Sequence, residues 1–199
     1  MTNFNFKPRK HPNEYGWYNL DGLPHFDAPF AQFITFRLAD SLPSKVVERF
    51  RVSTTDDAVF RKKVEKYLDS GHGACWLRYP EIAAMVRDAL RFHDGKKYDL
   101  KAWVIMPNHA HILLVPNEGE HLDKILHSIK SYTAQKANKL LGRSGQFWQH
   151  ESFDRYIRNA KHYQAVVRYI EENPVKAGFC STPEEWIFSS AYGHPVDKK

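Results

Sequence analysis

The sequence contains few cysteines and no long apolar run. Its two cysteines, Cys75 and Cys180, are far apart, and neither belongs to a Cys-x-x-Cys pair. This spacing excludes a disulfide framework and a cysteine-based zinc finger, and it fits a reducing cytoplasm. No apolar run approaches the roughly 20 residues that span a membrane, and the first residues lack the apolar core of a signal peptide. We therefore expect a cytoplasmic protein that has no membrane partner.

The excess of positive charge is moderate. Lysine and arginine number 29 against 23 aspartates and glutamates, which gives a net charge of +6. Such a balance suits a polyanion such as DNA, although many basic proteins bind none. A chain of 199 residues is long enough for one domain with a real core. We expect an irregular basic arm over residues 1–28, a single domain over 29–192 and a short tail over 193–199.

Hydrophobic periodicity predicts an α+β fold. Apolar and β-branched runs predict four strands, at residues 32–37, 98–106, 109–115 and 146–153. Helical spacing predicts helices between residues 44 and 70, from 80 to 93, from 122 to 140 and from 160 to 172, the last ended by Asn173-Pro174. This order is the split βαββαβ arrangement of ferredoxin-like and RRM-like domains, an antiparallel sheet with helices packed on it and an added C-terminal helix.

Two histidines stand out in the predicted hairpin of residues 103–115. The turn at Pro107-Asn108 places His109 and His111 at the start of its second strand. Side chains two residues apart on a strand point to the same face, so both imidazoles project together and can begin a metal site. The alternative is that both are hydrogen-bonded histidines of a half-buried sheet.

The last predicted helix places two further polar groups on one flank. Tyr169 and Asn173 are neighbours at i and i+4, beside the apolar stripe that packs on the sheet. If this helix docks near the third strand, Asn173 could complete a His, His, Asn metal site, and Tyr169 would stand one turn away as a nucleophile. Alternatively, Tyr169 is an aromatic at the core edge and Asn173 only ends the helix.

At this point the residues resemble a known family. His109-Ala-His111 within Met-Pro-Asn-His-Ala-His resembles the His-hydrophobic-His motif of the HUH single-tyrosine transposases. The run from Tyr169-Ile-Glu-Glu-Asn to Gly178 is similar to the tyrosine-helix motif of the REP-associated tyrosine transposases, a group within the IS200-like superfamily. The run Leu23-Pro-His-Phe-Asp-Ala-Pro also resembles one branch of these proteins. The resemblance extends from about residue 23 to residue 186.

The resemblance implies a function and a site. It implies cleavage and rejoining of single-stranded or hairpin DNA, at REP-like sequences, through a 5′-phosphotyrosine on Tyr169. It also implies a divalent metal, Mg²⁺ or Mn²⁺, held by His109, His111 and Asn173. The segment 44–78 is longer than in the compact members, and the N-terminal arm has no close match there. Both departures concern which DNA is recognised.

Basic residues near the last helix are candidate DNA contacts. Phe147 and Trp148 could stack on unpaired bases, although core packing is the alternative. A hairpin-binding module that does not cut, and a metal-dependent hydrolase that uses water, remain open as functions. Whether the protein is a monomer or a homodimer also stays open. The candidate cations are Arg155, Arg158, Lys161, Arg168 and Lys176, with Lys130 and Lys136 further out.

Overall fold

The computed structural model describes residues 23–193 and 14–20, together with Pro8 and His11. The strands are β1 (Gly16–Leu20), β2 (Leu23–Asp27), β3 (Gln32–Arg37), β4 (Tyr98–Ile105), β5 (His109–Pro116) and β6 (Phe153–Tyr156). The helices are α1 (Ser44–Val52), α2 (Asp57–Asp69), α3 (Pro80–Phe92), α4 (Leu122–Leu140) and α5 (Ala160–Lys176). Two short 3₁₀ helices, Trp76–Arg78 and Pro183–Glu185, join them.

The main sheet has four antiparallel strands in the order β4-β5-β3-β6. The first strand of the domain, β3, therefore lies beside the third, β5, and the fourth strand, β6, pairs with β3. This is the strand order of the split βαββαβ fold, so the predicted fold class is confirmed. The register aligns Thr35 with His111 and Arg37 with His109, which places β3 residues directly beside both histidines.

The two faces of the sheet are covered by different helices. Ala110, Ile112 and Leu114 of β5 join the larger core cluster, which also contains the apolar faces of α3 and α4. Leu113, one residue out of phase, packs with Val166 and Ile170 of α5 on the other face. Because His109 and His111 share the phase of Leu113, they face α5. The fold thus brings the last helix over the two histidines.

Helices α1 and α2 form a unit beside the sheet. Asp56 caps α2 by accepting hydrogen bonds from the backbone of Ala58 and Val59, as expected for an N-cap aspartate. Phe60, Val64 and Leu68 of α2 recur at helical spacing and form a small third cluster with Leu42, α1 and Phe153 of β6. This packing directs the C-terminal end of α2 toward the face that carries the histidines.

Helix α4 is amphipathic. One face contributes buried residues to the larger core, whereas Lys124, Lys136 and Lys139 are exposed on the other. Among the described residues, no helix is both long and apolar enough to cross a membrane.

Two predicted boundaries are wrong at the C-terminal side of the domain. The predicted strand 146–153 is instead β6, Phe153–Tyr156, because Phe147 and Trp148 are buried together in the core, where the Trp148 indole donates to Thr133. Core packing is therefore their role. Helix α5 continues through Pro174 to Lys176. A proline so close to the end removes one hydrogen bond only, and the Asn173 carbonyl still accepts from the backbone of Ala177.

The irregular arm predicted for residues 1–28 is corrected where it is described. Strands β1 and β2 pair as an antiparallel hairpin, and His25, Phe26 and Asp27 of β2 are all buried. Two histidine–aspartate hydrogen bonds attach β2 to the rest of the domain. The His25 ring hydrogen-bonds Asp154 of β6, and the His121 ring donates to Asp27 at 2.6 Å. Residues 1–7, 9–10, 12–13, 21–22 and 194–199 lie outside the described residues, and with them most of the predicted tail.

Chain segments lie along both outer strands of the main sheet. Strand β2 packs beside β6, where the Phe26 amide donates to the Asp154 carboxylate at 3.2 Å. On the opposite side, the Ile105 amide of β4 donates to the Phe188 carbonyl, and the Ser190 amide donates to the Trp103 carbonyl, both at 2.8 Å. The hairpin and the C-terminal segment therefore bracket the sheet.

Stability depends on the central strands. We expect Ile34→Ala to lower the free energy of unfolding by about 2–5 kcal/mol, because Ile34 of β3 is fully buried and its removal leaves a cavity. Urea denaturation followed by circular dichroism measures this loss. The control Val52→Ala, at a side chain that is 85% exposed, should change the free energy by less than about 0.5 kcal/mol. Equal losses in both variants would contradict this assignment of the core.

Candidate functional site

The two histidines of β5 face each other at the centre of the site. His109 and His111 are both fully buried, and their Nε2 atoms lie 3.0 Å apart. Burial lowers the pKa of His109 to about 3 and lowers the pKa of His111 well below its ordinary value. Both rings are therefore neutral near pH 7, which leaves ring nitrogens able to bind a cation.

Asn108 fixes the tautomer of His109. The Asn108 side-chain amide nitrogen donates to the carbonyls of Leu68 and His72, at 3.1 and 2.8 Å. Its side-chain oxygen must then be the acceptor in its 2.7 Å contact with His109 Nδ1. Since the proton of His109 lies on Nδ1, the Nε2 atom keeps its lone pair. This is the arrangement that a metal-binding imidazole requires.

Thr35 supports the second imidazole from the neighbouring strand. Its hydroxyl lies 2.7 Å from His111 Nδ1, as the pairing of these two residues across β3 and β5 predicts. A hydroxyl can donate or accept, so Thr35 suits either tautomer of His111. With Nδ1 occupied, Nε2 of His111 is directed to the same point as Nε2 of His109.

A carboxylate that sequence reasoning missed completes this cluster. Asp69, the last residue of α2, places Oδ1 3.5 Å from His109 Nε2. Its carboxylate and the two histidines offer three ligand atoms within 4.8 Å of one another. Burial raises the pKa of Asp69 to about 6, against the hydrogen bond from Asn173 and the charge of Lys176, which lower it.

Asn173 reaches the same cluster from α5. Its side chain is fully buried, and its amide nitrogen donates to Asp69 Oδ1 at 3.4 Å. Its amide oxygen is buried and has no hydrogen-bond partner among the described residues. A buried carbonyl oxygen without a partner is costly, and a bound cation would satisfy it. Two imidazole nitrogens with amide and carboxylate oxygens are a donor set that fits Mn²⁺ or Mg²⁺.

Tyr169 lies beside His111. Its ring is half-buried and makes edge contacts with His111 and Phe33, at centroid distances of 5.3 and 5.8 Å. The hydroxyl is buried, and the carboxyl group of Glu65 lies near it. Burial, followed by the charges of Glu65 and Asp69, raises the pKa of Tyr169 above its ordinary value. The phenol is thus protonated at rest.

Glu65 and Arg155 form the polar surroundings of Tyr169. Glu65 lies one turn before Asp69 on α2, and burial raises the pKa of its carboxyl group. The guanidinium of Arg155, on β6, lies 5.1 Å from the centre of the Phe33 ring, and its Nε is buried with no partner among the described residues. Burial lowers the pKa of Arg155, against the attraction of Glu65. An anionic group would find an unused donor here.

The predicted DNA contacts fall on two sides of the sheet. Lys176 pairs with Glu172 at 2.9 Å, and its Nζ lies 5.5 Å from the Tyr169 ring. By contrast, Lys130 and Lys136 belong to α4, across the sheet from α5, and Lys130 donates to the His150 carbonyl at 2.6 Å. Three of the predicted DNA contacts are exposed and lie on or just before α5, on the same side of the sheet as Tyr169. They are Arg158, Lys161 and Arg168.

The structure therefore unites four predicted residues and adds others. His109, His111, Tyr169 and Asn173 meet on the α5 face, as their periodicity allowed. The site residues that the sequence did not predict are Thr35, Glu65, Asp69 and Asn108. They reach the site through contacts between segments that are distant in the sequence. Of the four, only Asn108 could have been found from the sequence, because it directly precedes the first histidine.

Replacing one imidazole should remove metal binding. We expect His111→Ala to lose Mn²⁺ binding, measured by isothermal titration calorimetry, at ion concentrations that saturate the original protein, because the second nitrogen ligand is gone. His127→Ala, which alters an exposed histidine on α4, is the matched control and should bind normally. If His111→Ala titrates like the control, these histidines are structural. The same titration on Asp69→Ala and Asn173→Ala identifies which oxygen is the third ligand.

Comparisons with known proteins place the site in a family context. Residues 81–173 match the family described as "Transposase IS200 like", and they include both histidines, Tyr169 and Asn173. A REP-associated tyrosine transposase of Escherichia coli K12 is 30% identical over 108 residues, 53% of this chain and 62% of that relative. A relative from Haemophilus influenzae is 27% identical over 103 residues, 47% of this chain and 58% of its own length. The chain thus spans about three fifths of these curated relatives.

A solved structure shares the fold. The structure of a REP-associated tyrosine transposase bound to a REP hairpin matches with a TM-score of 0.51 and 21% identity, covering 81% of this chain and 76% of that one. This likeness extends the relationship beyond residues 81–173 at the level of the fold. Residues 81–173 are therefore similar to the IS200-like transposases, and the chain is similar to REP-associated tyrosine transposases, the resemblance that its two motifs indicated.

Proposed function

We propose that this protein is a metal-dependent, single-stranded DNA endonuclease and strand transferase that works through a 5′-phosphotyrosine on Tyr169. The observation that carries the proposal is the convergence of three groups within one chain: the Tyr169 ring lies 5.3 Å from His111, whose Nε2 lies 3.0 Å from that of His109. A nucleophile beside a cation site is the arrangement that attack on a phosphodiester requires.

The metal would be held by His109, His111 and an oxygen of Asn173 or Asp69. The mixed nitrogen and oxygen donors favour Mn²⁺ and accept Mg²⁺, and the side-chain oxygen of Asn173 supports the fit because it has no partner among the described residues. When bound, the ion would supply Lewis-acid stabilisation of the scissile phosphate. Thr35 and Asn108 would hold both imidazoles in position.

Tyr169 would carry the chemical step. Its oxygen attacks the phosphorus, a tyrosyl–phosphate bond forms to the 5′ side, and the bond to the 3′ oxygen breaks. The phenol loses its proton and the departing 3′ oxygen gains one, so the reaction is balanced. The covalent bond keeps the energy of the cleaved link, and a 3′-hydroxyl of another strand can reverse the step. Because the pKa of Tyr169 is raised, its phenol proton must be removed before or during the attack.

The substrate would be DNA that contains a hairpin. The solved transposase of similar fold is bound to a REP hairpin, and here the Lys176 ammonium group lies 5.5 Å from the Tyr169 ring. Because one chain contains the full set of site residues, a monomer would suffice for cleavage, and a homodimer would carry two sites. We expect the protein to act in the cytoplasm, where the substrate DNA lies.

Replacing the tyrosine hydroxyl tests the proposal directly. With labelled hairpin DNA and Mn²⁺, the original protein should give a covalent protein–DNA band in a denaturing gel, and Tyr169→Phe should give none while still binding DNA. Tyr163→Phe, on the same helix, is the matched control and should form the band. If Tyr169→Phe still cuts, water is the nucleophile. If the original protein binds hairpin DNA but never cuts it, the protein is a binding module.

The two groups of cations should differ in their effect on DNA binding. We expect Arg158→Ala to weaken binding to all sequences and to reduce the slope of log K against log salt by roughly 0.7, because one phosphate contact is lost. Lys136→Ala removes the same charge from the far side of the sheet and should leave the slope unchanged. Fluorescence anisotropy at several salt concentrations measures both. Equal losses would show that the DNA also contacts α4.

A further inference from the structure

A second concave surface lies between α1 and α2. It is a pocket of about 470 Å³, here called the α1–α2 pocket, and it lies outside the cluster of His109, His111, Asp69 and Asn173. This size is within the range of about 300–1,000 Å³ that is usual for ligand pockets. Its lining residues are Arg49, Phe50, Ser53, Lys63, Lys66, Tyr67 and Ser70.

The charge of this pocket is positive only. Arg49, Lys63 and Lys66 line it, and no carboxylate does. Within the described part of the chain, none of the three forms an ion pair, and the one polar contact recorded for their charged groups is from Lys63 Nζ to the Ser53 hydroxyl at 2.7 Å. Three unneutralised cations around one concavity raise the local concentration of anions. The pocket is therefore complementary to phosphate groups.

The same pocket presents aromatic rings. Phe50 and Tyr67 are half-buried and contact each other edge to face, with ring centroids 6.0 Å apart. Tyr67 also stacks on the exposed His72 ring at 3.9 Å. Rings fixed beside cations are the arrangement by which proteins bind unpaired nucleotides, since bases stack on the rings and phosphates meet the cations. A duplex, with its bases already stacked, would not use these rings.

The pocket is connected to the metal cluster. Lys66 precedes Asp69 by three residues on α2, a rise of about 4.5 Å along the helix axis. His72, which stacks on Tyr67, accepts through its carbonyl the hydrogen bond of Asn108, and Asn108 in turn accepts from His109. A strand that occupied the pocket would thus lie on the same helix as Asp69, one of the groups of the metal cluster.

We propose that the α1–α2 pocket binds the unpaired DNA strand that flanks the hairpin and guides it to Tyr169. The proposal rests on the proposed function, and it adds a binding site on a segment that precedes the family-matched residues 81–173. The pocket selects substrates with a single-stranded flank over hairpins that lack one. Its contacts are to phosphates and base faces, so its preference is for unpaired DNA and not for one sequence.

Binding of an oligothymidylate tests the pocket apart from any cleavage. The variant Arg49→Ala/Lys66→Ala should weaken binding and reduce the salt slope by about 1.4, since each phosphate contact to a single strand contributes about 0.7. The matched control Lys45→Ala/Lys62→Ala removes two exposed cations of the same two helices that do not line the pocket, and it should leave the slope unchanged. Equal slopes in the two variants, or no binding by the original protein, would overturn the proposal.

Covalent-band formation on two substrates separates this proposal from the proposed function. One hairpin carries a flank of about 12 unpaired nucleotides, and the other is trimmed close to the cleavage site. The pocket variant should lose the advantage of the long flank and still form the band on the trimmed hairpin. If the original protein forms the band equally on both substrates, the pocket proposal is wrong and the proposed function still stands. If it forms no band on either, the proposed function fails, whatever the oligothymidylate result.

Discussion

The site depends on two neutral, fully buried imidazoles whose Nε2 atoms lie 3.0 Å apart. Asn108 contacts Nδ1 of His109, and Thr35 contacts Nδ1 of His111. These contacts fix the orientation of both rings, so that their Nε2 atoms point toward each other. Buried nitrogens at this separation are tolerated when a proton or a cation lies between them. The pairing of β3 with β5 and the turn at Asn108 are thus parts of the site as well as of the fold.

Local periodicity was sufficient for the half of the site that lies on single elements. Two-residue spacing on β5 and four-residue spacing on α5 place His109, His111, Tyr169 and Asn173 correctly, because these spacings follow from backbone geometry alone. The strand order of the sheet followed from the predicted βαββαβ order of elements, which is that of a known fold class. The resemblance to a transposase family then indicated that the strand and the helix meet.

The remaining parts depend on tertiary packing that no local pattern encodes. Asp69 ends a helix 40 residues before His109 (109 − 69), and its carboxylate reaches the histidines through tertiary contacts: the packing of Val64 and Leu68 in the small third cluster and the hydrogen bond from Asn173. Phe147 and Trp148 were predicted to lie in a strand because aromatic residues favour strands. In the structure both rings are buried in the core instead. Pro174 suggested a helix end, although a proline near the last turn removes only one hydrogen bond.

The two segments that bracket the sheet have a consequence for association. An outer strand with unpaired amides and carbonyls is a template for pairing with another chain, which leads to edge-joined oligomers or fibres. Here Trp103 and Ile105 of β4 are hydrogen-bonded to the segment around Phe188 and Ser190, and the β1–β2 hairpin packs beside β6, so part of each outer strand is covered by its own chain. The β1–β2 hairpin and the segment around Phe188 and Ser190 thereby hinder extension of the sheet between copies.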